Sequence, residues 1–304
     1  ESWADFFAIQ NAVFGVDADS RLFVQGSLAF TGNLNLYMGQ LAAGGTLIAE
    51  DVFLPGKWEQ VMARERANGI YLIPSKLLML PRVFKGVNAN IRTIISGSQS
   101  LGRKDAEVLK KIFPNTEITL YYGASELNYI TYVKSADMTE ERNLIGKPFP
   151  GVRVFIQDDE MYVDNAFHVE NITVPYSLKD SGRMDLQGNF YFLGRTDDIV
   201  GVRGRKVSMM KIENALEEVA GITEAAVVLL PKEKDADMPA EIVSAFVTVE
   251  GTDVPENLRQ QLKEKLADFE IPKRVIVLEA FPKNTSGKVD KARLKKMWIE
   301  QEPQ

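Results

Sequence analysis

Gly194-Arg195-Thr196-Asp197-Asp198-Ile199-Val200-Gly201-Val202-Arg203-Gly204-Arg205-Lys206-Val207 crowds two acids, four bases and three glycines into fourteen residues. A helical spacing, Ile212, Ala215, Leu216 and Val219, follows at once, and Gly221 ends it. Alone, the run reads equally well as a solvated basic hairpin. Its neighbours give it more meaning, because the chain changes character here. Before it, short apolar runs alternate with helical patterns. Strands are expected at Arg21 to Val24, Thr46 to Ala49, Ile70 to Leu72, Ile91 to Ile95 and Glu117 to Tyr121. Helices are expected at Leu34 to Leu41, ended by Gly44-Gly45, at Trp58 to Ala67, and at Arg103 to Ile112. Such alternation favours a mostly parallel, buried sheet with covering helices. Gly151 to Val163 differs, reading as paired β runs around Asp158-Asp159. After the run, strands are expected at Ala225 to Leu230, Ile242 to Val249 and Arg274 to Leu278. Asp253-Val254-Pro255-Glu256 has the form of a capping box before a helix carrying Leu258, Leu262 and Leu266. The fold class is α/β: a large α/β domain over 1–195, then a small α+β domain over 196–304, joined abruptly at 196–198.

Composition narrows the chemistry. With 304 residues and 45% apolar content, the chain can build two cores. A net charge of −6 argues against general nucleic-acid binding, although a local basic patch can still receive phosphates. There is no cysteine, hence no disulfide, thiol nucleophile or thiolate metal site. The single histidine, His168, gives poor support to a Ser-His-Asp hydrolase or a multi-histidine metal cluster. No apolar run is long enough for a membrane span and nothing resembles a signal peptide, so a cytoplasmic location is expected. Residue 1 is glutamate rather than methionine, and the native amino terminus is expected further upstream.

Two further motifs flank the opening run in a fixed order. Tyr122-Gly123-Ala124-Ser125-Glu126 ends the strand from Glu117, and strand ends of open α/β sheets are where ligands bind. Gly123 there permits close backbone approach to a ligand. Pro282-Lys283-Asn284-Thr285-Ser286-Gly287-Lys288-Val289-Asp290 lies near the carboxy terminus. Together the three motifs resemble those of the adenylate-forming superfamily: acyl-CoA synthetases, peptide-synthetase adenylation domains and luciferases.

The resemblance implies a two-step ligase. An acid and ATP give an acyl-adenylate and pyrophosphate, and a thiol then displaces AMP. A small mobile domain turns between the two steps. By residue-level match, Tyr122 would stack on adenine, Ser125 would contact phosphate oxygens, and Glu126 would help hold Mg²⁺. Ile95-Ser96-Gly97-Ser98-Gln99 loosely matches the small-residue loop, here Gly97 and Ser98, that borders adenine and the acyl pocket. Asp180, in Leu178-Lys179-Asp180-Ser181-Gly182-Arg183, matches the aspartate that accepts hydrogen bonds from both ribose hydroxyls. Leu178 and Lys179 replace the family's Thr-Gly and add a charge. Arg195 matches a ribose-contacting arginine and Asp197 the hinge residue. Gly204 matches the position where the pantetheine arm of coenzyme A passes close to backbone, with Arg203, Arg205 and Lys206 as candidate phosphate contacts. Lys288 aligns with the catalytic lysine, whose ammonium offsets the repulsion between an attacking carboxylate and the α-phosphate.

The resemblance also exposes a gap. Family members carry a Ser/Thr/Gly-rich phosphate loop, expected before residue 1, and no such sequence occurs here. The chain as written is therefore expected to adenylate acids poorly. Ser27-Leu28-Ala29-Phe30-Thr31-Gly32-Asn33 occupies the region where peptide-synthetase domains hold an amino group with an aspartate, and it contains no acid. That tilts the expected substrate to a fatty or aryl carboxylic acid without an α-amino group. Phe30, Asn128, Tyr129 and Ile130 are candidate pocket walls. The thiol acceptor is coenzyme A, or alternatively a phosphopantetheinyl carrier protein. Outside catalysis, the same motifs fit a degenerate nucleotide-binding or interaction module.

Overall fold

The computed structural model describes residues 2–202, 205–232, 241–283 and 289–300, except the side chains of Ser2, Asp197 and Lys206. The chain divides into two compact units, Glu1–Phe192 and Leu193–Gln304.

The first unit opens with α1 (Ser2–Phe14) and alternates β1 (Arg21–Gln25), α2 (Thr31–Ala42), β2 (Thr46–Glu50), α3 (Pro55–Arg64), β3 (Gly69–Tyr71), the single turns α4 (Pro74–Leu77) and α5 (Leu80–Val83), β4 (Thr93–Gly97), α6 (Arg103–Ile112) and β5 (Glu117–Ala124). These five strands are parallel, in the order β2-β1-β3-β4-β5. They are buried on both faces. On β5, Ile118 and Leu120 join Trp58, Met62 and Leu109 on one side, while Tyr121 joins Phe14, Leu36 and Tyr71 on the other. Along α6 the reasons for a helix are local. The Asp105 carboxylate accepts from the Gly102 amide at 2.9 Å, Ala106 and Leu109 are buried, and Lys110 and Lys111 occupy the last turn.

The sheet then changes. β6 (Asn128–Lys134) returns antiparallel to β5, and β7 (Leu144–Pro148), β8 (Val152–Gln157), β9 (Glu160–Asn165), β10 (Tyr176–Met184) and β11 (Phe190–Arg195) continue it to eleven strands. The expectation of a mostly parallel sheet thus holds only for the first five strands. A tight turn reverses the chain after β5, whereas a parallel return needs a crossover. The Asp158-Asp159 hairpin forms as expected, with φ of 52° and 65° in the left-handed region that two-residue turns demand. The helix expected at Trp58 to Ala67 starts three residues earlier, at Pro55, because proline is favoured at a first helical position. It stops at Arg64, and Arg66 turns left-handed with φ 54°.

After the end of β11, the second unit continues with a single 3₁₀ turn at Thr196–Asp198 and the hairpin of β12 (Ile199–Val202) and β13 (Arg205–Ser208). In α7 (Met209–Glu217), Ser208 caps the first turn by accepting from the Lys211 amide at 3.2 Å. β14 (Ile222–Pro231) pairs antiparallel with β15 (Glu241–Val249), which follows a parallel course with β16 (Arg274–Val277). Ala225, Val227 and Leu229 face α7, and the alternate residues Ala226, Val228 and Leu230 pack with Leu294 of α9 (Lys291–Glu300). The capping box expected at Asp253 to Glu256 does not form. α8 (Leu258–Lys263) starts later, after Asn257, with no side-chain cap, and Asp253 instead accepts from the Thr252 hydroxyl. Among the described residues, no helix is long and apolar enough to cross a membrane.

Candidate active site

The parallel strands end at one edge, and the chain returns from that edge at the first turn of α2 and at residues 125–127. This edge gathers most of the first unit's candidate residues. Tyr122 and Gly123 lie within β5 itself, and Ser125 and Glu126 form the tight turn into β6. Gly123 meets a close backbone approach from within the sheet itself. A Cβ placed on it would lie 2.5 Å from the Asn128 carbonyl oxygen, so the close backbone approach is to β6. The hairpin is anchored again where the Val169 amide donates to the Glu126 carbonyl at 2.9 Å. Next to Val169, the single histidine keeps its Nδ1 within 2.7 Å of that residue's own carbonyl.

Tyr122 is half-buried, and its hydroxyl donates to Oδ2 of Asp180, which is buried on β10. The tyrosine ring also lies 5.9 Å from Phe192 at an interplanar angle of 35°. Two residues singled out separately in sequence are therefore joined. Lys179, beside Asp180, adopts φ 61°, a conformation suited to the glycine it replaces. Its added charge is met by Glu160 at 3.2 Å. Ser177 donates to the same carboxylate at 2.9 Å, and this bond, aided by Lys179, holds Glu160 below the usual carboxylate range.

The Ser125 hydroxyl lies 2.5 Å from that of Thr31, the first residue of α2. Glu126 is exposed. Gly97 closes β4 in a buried position, and Ser98 follows, exposed and with φ 69°. Of the candidate walls, Phe30 is exposed, while Asn128, Tyr129 and Ile130 are buried. The sequence reading passed over Tyr71 and Tyr121, whose hydroxyls are 3.0 Å apart beneath this edge. Burial pushes both phenols, and that of Tyr129, above their usual range, so all three stay protonated. The signal that could have found Tyr121 is the period-two alternation of β5, which puts it on the face opposite Tyr122.

In the second unit, Arg195 ends β11 and is exposed. Asp197 has its backbone in the 3₁₀ turn. Arg205 lays its guanidinium over the Phe269 ring at 4.8 Å, which occupies one of the candidate phosphate contacts. Arg203, Gly204 and Lys288 lie outside the described residues.

Residues 3–166 match the model of the AMP-binding enzyme family, and residues 211–288 match that of the AMP-binding enzyme C-terminal domain. An uncharacterized acyl-CoA ligase, YhfT of Bacillus subtilis, is 25% identical across 100% of the chain, which spans 65% of that relative. Delta-poly-L-ornithine synthetase of Acinetobacter baumannii is 25% identical over 95% of the chain and 24% of its own length. In fold, the chain is similar to the amide bond synthetase McbA of Marinactinospora thermotolerans, with a TM-score of 0.84, 23% identity, and coverage of 98% of this chain and 66% of that one.

Proposed function

The chain belongs to the AMP-binding enzyme family, and from that premise we propose that it serves an AMP-forming acid–thiol ligase that activates a carboxylic acid with ATP and passes the acyl group to coenzyme A. The observation that carries this reading is the hydrogen bond from Tyr122 to Asp180. It sets a half-buried aromatic ring, suited to stacking on adenine, beside a carboxylate suited to ribose hydroxyls.

In the first step, an acid oxygen attacks the α-phosphorus of ATP and pyrophosphate leaves. Two negative groups must approach, and the ammonium of Lys288 offsets their repulsion. Mg²⁺ would neutralise the departing pyrophosphate. The exposed Glu126 carboxylate is the hard oxygen ligand this cation prefers. Among the described residues no three acidic or histidine side chains cluster, so Glu126 would share the ion with phosphate oxygens. Gly97 and Ser98 border the adenine and the acid, and Ser125 meets phosphate oxygens in competition with Thr31. Arg195 assists at the ribose. In the second step, a thiolate attacks the acyl carbonyl and AMP leaves. Asp197 serves as the hinge and Gly204 as the bare backbone past which the pantetheine arm runs. The acid lies between the first turn of α2 and the end of β4. The absence of any acid from Ser27 to Asn33 favours a substrate without an α-amino group.

Calorimetric titration with AMP tests the nucleotide half of this reading. Binding by the wild-type chain, lost in Asp180→Asn, is expected, and equal binding by both would refute the assignment of Asp180. Mass spectrometry of mixtures containing ATP, an acid and either coenzyme A or a phosphopantetheinyl carrier protein tests the acceptor. Acyl transfer to the carrier alone would overturn the coenzyme A assignment.

A further inference from the structure

We propose that the acid accepted here is short, and that Tyr121 sets its length by closing the space between the end of β4 and the first turn of α2. This rests on the acid-activating reading above and narrows its substrate.

Gly97 has no side chain and pairs with Tyr121 across β4 and β5, and the Tyr121 ring takes the room a side chain on Gly97 would occupy. A Cβ placed on Gly97 would lie 2.5 Å from Cζ of the Tyr121 ring. On the other side, a Cβ placed on Gly32 would lie 3.4 Å from the Tyr121 hydroxyl and 3.7 Å from that of Tyr71. The phenol is thus wedged between the two segments that flank the proposed acid. It is also held fast. Its hydroxyl bonds to that of Tyr71 at 3.0 Å, and its ring meets Tyr129 edge to face at 4.7 Å. Tyr121 is only 7% exposed. A ring fixed from several sides in a close-packed interior cannot swing away as a flexible side chain would.

The polarity of the surroundings points the same way. One turn along α2 from Thr31, the buried Asn35 donates to Asn128 at 2.7 Å. The Tyr129 hydroxyl is buried, with no hydrogen-bond partner among the described residues. A polymethylene chain pushed into this space would displace the hydroxyl pair and leave further polar atoms unpaired, each at the desolvation cost of a lost hydrogen bond. A short acid leaves the tyrosine cluster intact.

The test uses non-hydrolysable acyl sulfamoyl adenosines with ethanoyl, butanoyl, octanoyl and hexadecanoyl groups, titrated calorimetrically into the 304-residue chain beside AMP. Affinity is expected to fall at least about tenfold between butanoyl and octanoyl. Tyr121→Ala should raise the ratio of octanoyl to ethanoyl affinity by a similar factor. Should that variant not fold, Tyr121→Leu removes less volume and should move the ratio in the same direction. Wild-type binding of hexadecanoyl as tight as ethanoyl would overturn the proposal while leaving the nucleotide assignment standing. Failure of AMP itself to bind would remove the nucleotide assignment, and this inference with it.

Discussion

The hydroxyl of Tyr122 donates a hydrogen bond to the carboxylate of Asp180, 58 residues away in sequence. Neither residue alone makes a nucleotide site. Joined, they couple the ring proposed for adenine to the acceptor proposed for ribose. Tyr122→Phe keeps the ring and deletes the bond. A hydrogen bond to a charged group contributes about 1.5–3 kcal/mol, so AMP affinity should fall roughly tenfold or more. Tyr122→Ala also removes the stacking face and should weaken binding further. Equal affinities for Phe and wild type, measured by calorimetry, would mean that the bond does not orient Asp180 for a nucleotide.

The contact between Gly97 and Tyr121 leaves no space for a methyl group. Gly97→Ala must displace a buried, hydrogen-bonded ring, and such overpacking costs about 1–3 kcal/mol. Thermal unfolding of the variant should show a lowered midpoint for the first unit. An unchanged midpoint would show that the ring yields easily, and would count against Tyr121 as a rigid stop.

Lys179 holds φ 61° next to Asp180. A left-handed backbone costs a residue with a side chain roughly 1–2 kcal/mol relative to glycine. Lys179→Gly relieves this cost and gives up an exposed ion pair with Glu160, which contributes at most about 1 kcal/mol. Stability should therefore hold or rise slightly. Lys179→Val, β-branched in the same conformation, should lose about 2 kcal/mol. Urea titration of the two variants compares them, and equal stabilities would contradict the backbone argument.

Glu213 in α7 has its carboxyl above the ordinary value of 4.5, chiefly because burial penalises its charge. Lys291 at 2.8 Å and the Val227 amide at 2.7 Å counter that penalty without cancelling it. The folded state then binds a proton more readily than the unfolded chain. This group's contribution to stability is full below pH 4.5 and declines as pH rises through the folded value. Glu213→Gln should remove that decline. Denaturant unfolding at stepped pH should show wild type losing stability relative to the variant as pH increases; the opposite slope would reverse the assigned shift.

Much of this architecture was legible beforehand, where local chemistry decides. α6 was readable end to end, because Asp105, Ala106, Leu109 and the terminal lysines each act within a few residues. The Asp158-Asp159 turn was readable for the same reason. α1 was missed, since its buried face mixes Phe6 and Phe14 with the polar Gln10 and blurs the helical period. The capping box before α8 misled because the motif competes with a side-chain bond between Thr252 and Asp253. The need for a bare backbone at Gly123 was legible, whereas the approach of β6 to it was decided by strand pairing.

The order of the motifs, from Tyr122–Glu126 through Gly194–Val207 to Lys288, determined the family, because motif identity and spacing are written directly along the chain. Tertiary structure decided which residues meet. It joined Tyr122 to Asp180, placed Thr31 against Ser125, and set the Tyr121 ring against Gly97. Pairings of this kind depend on strand order and on which face of the sheet a side chain takes. Periodicity gives the alternation of faces, but only the packed sheet settles what each face touches.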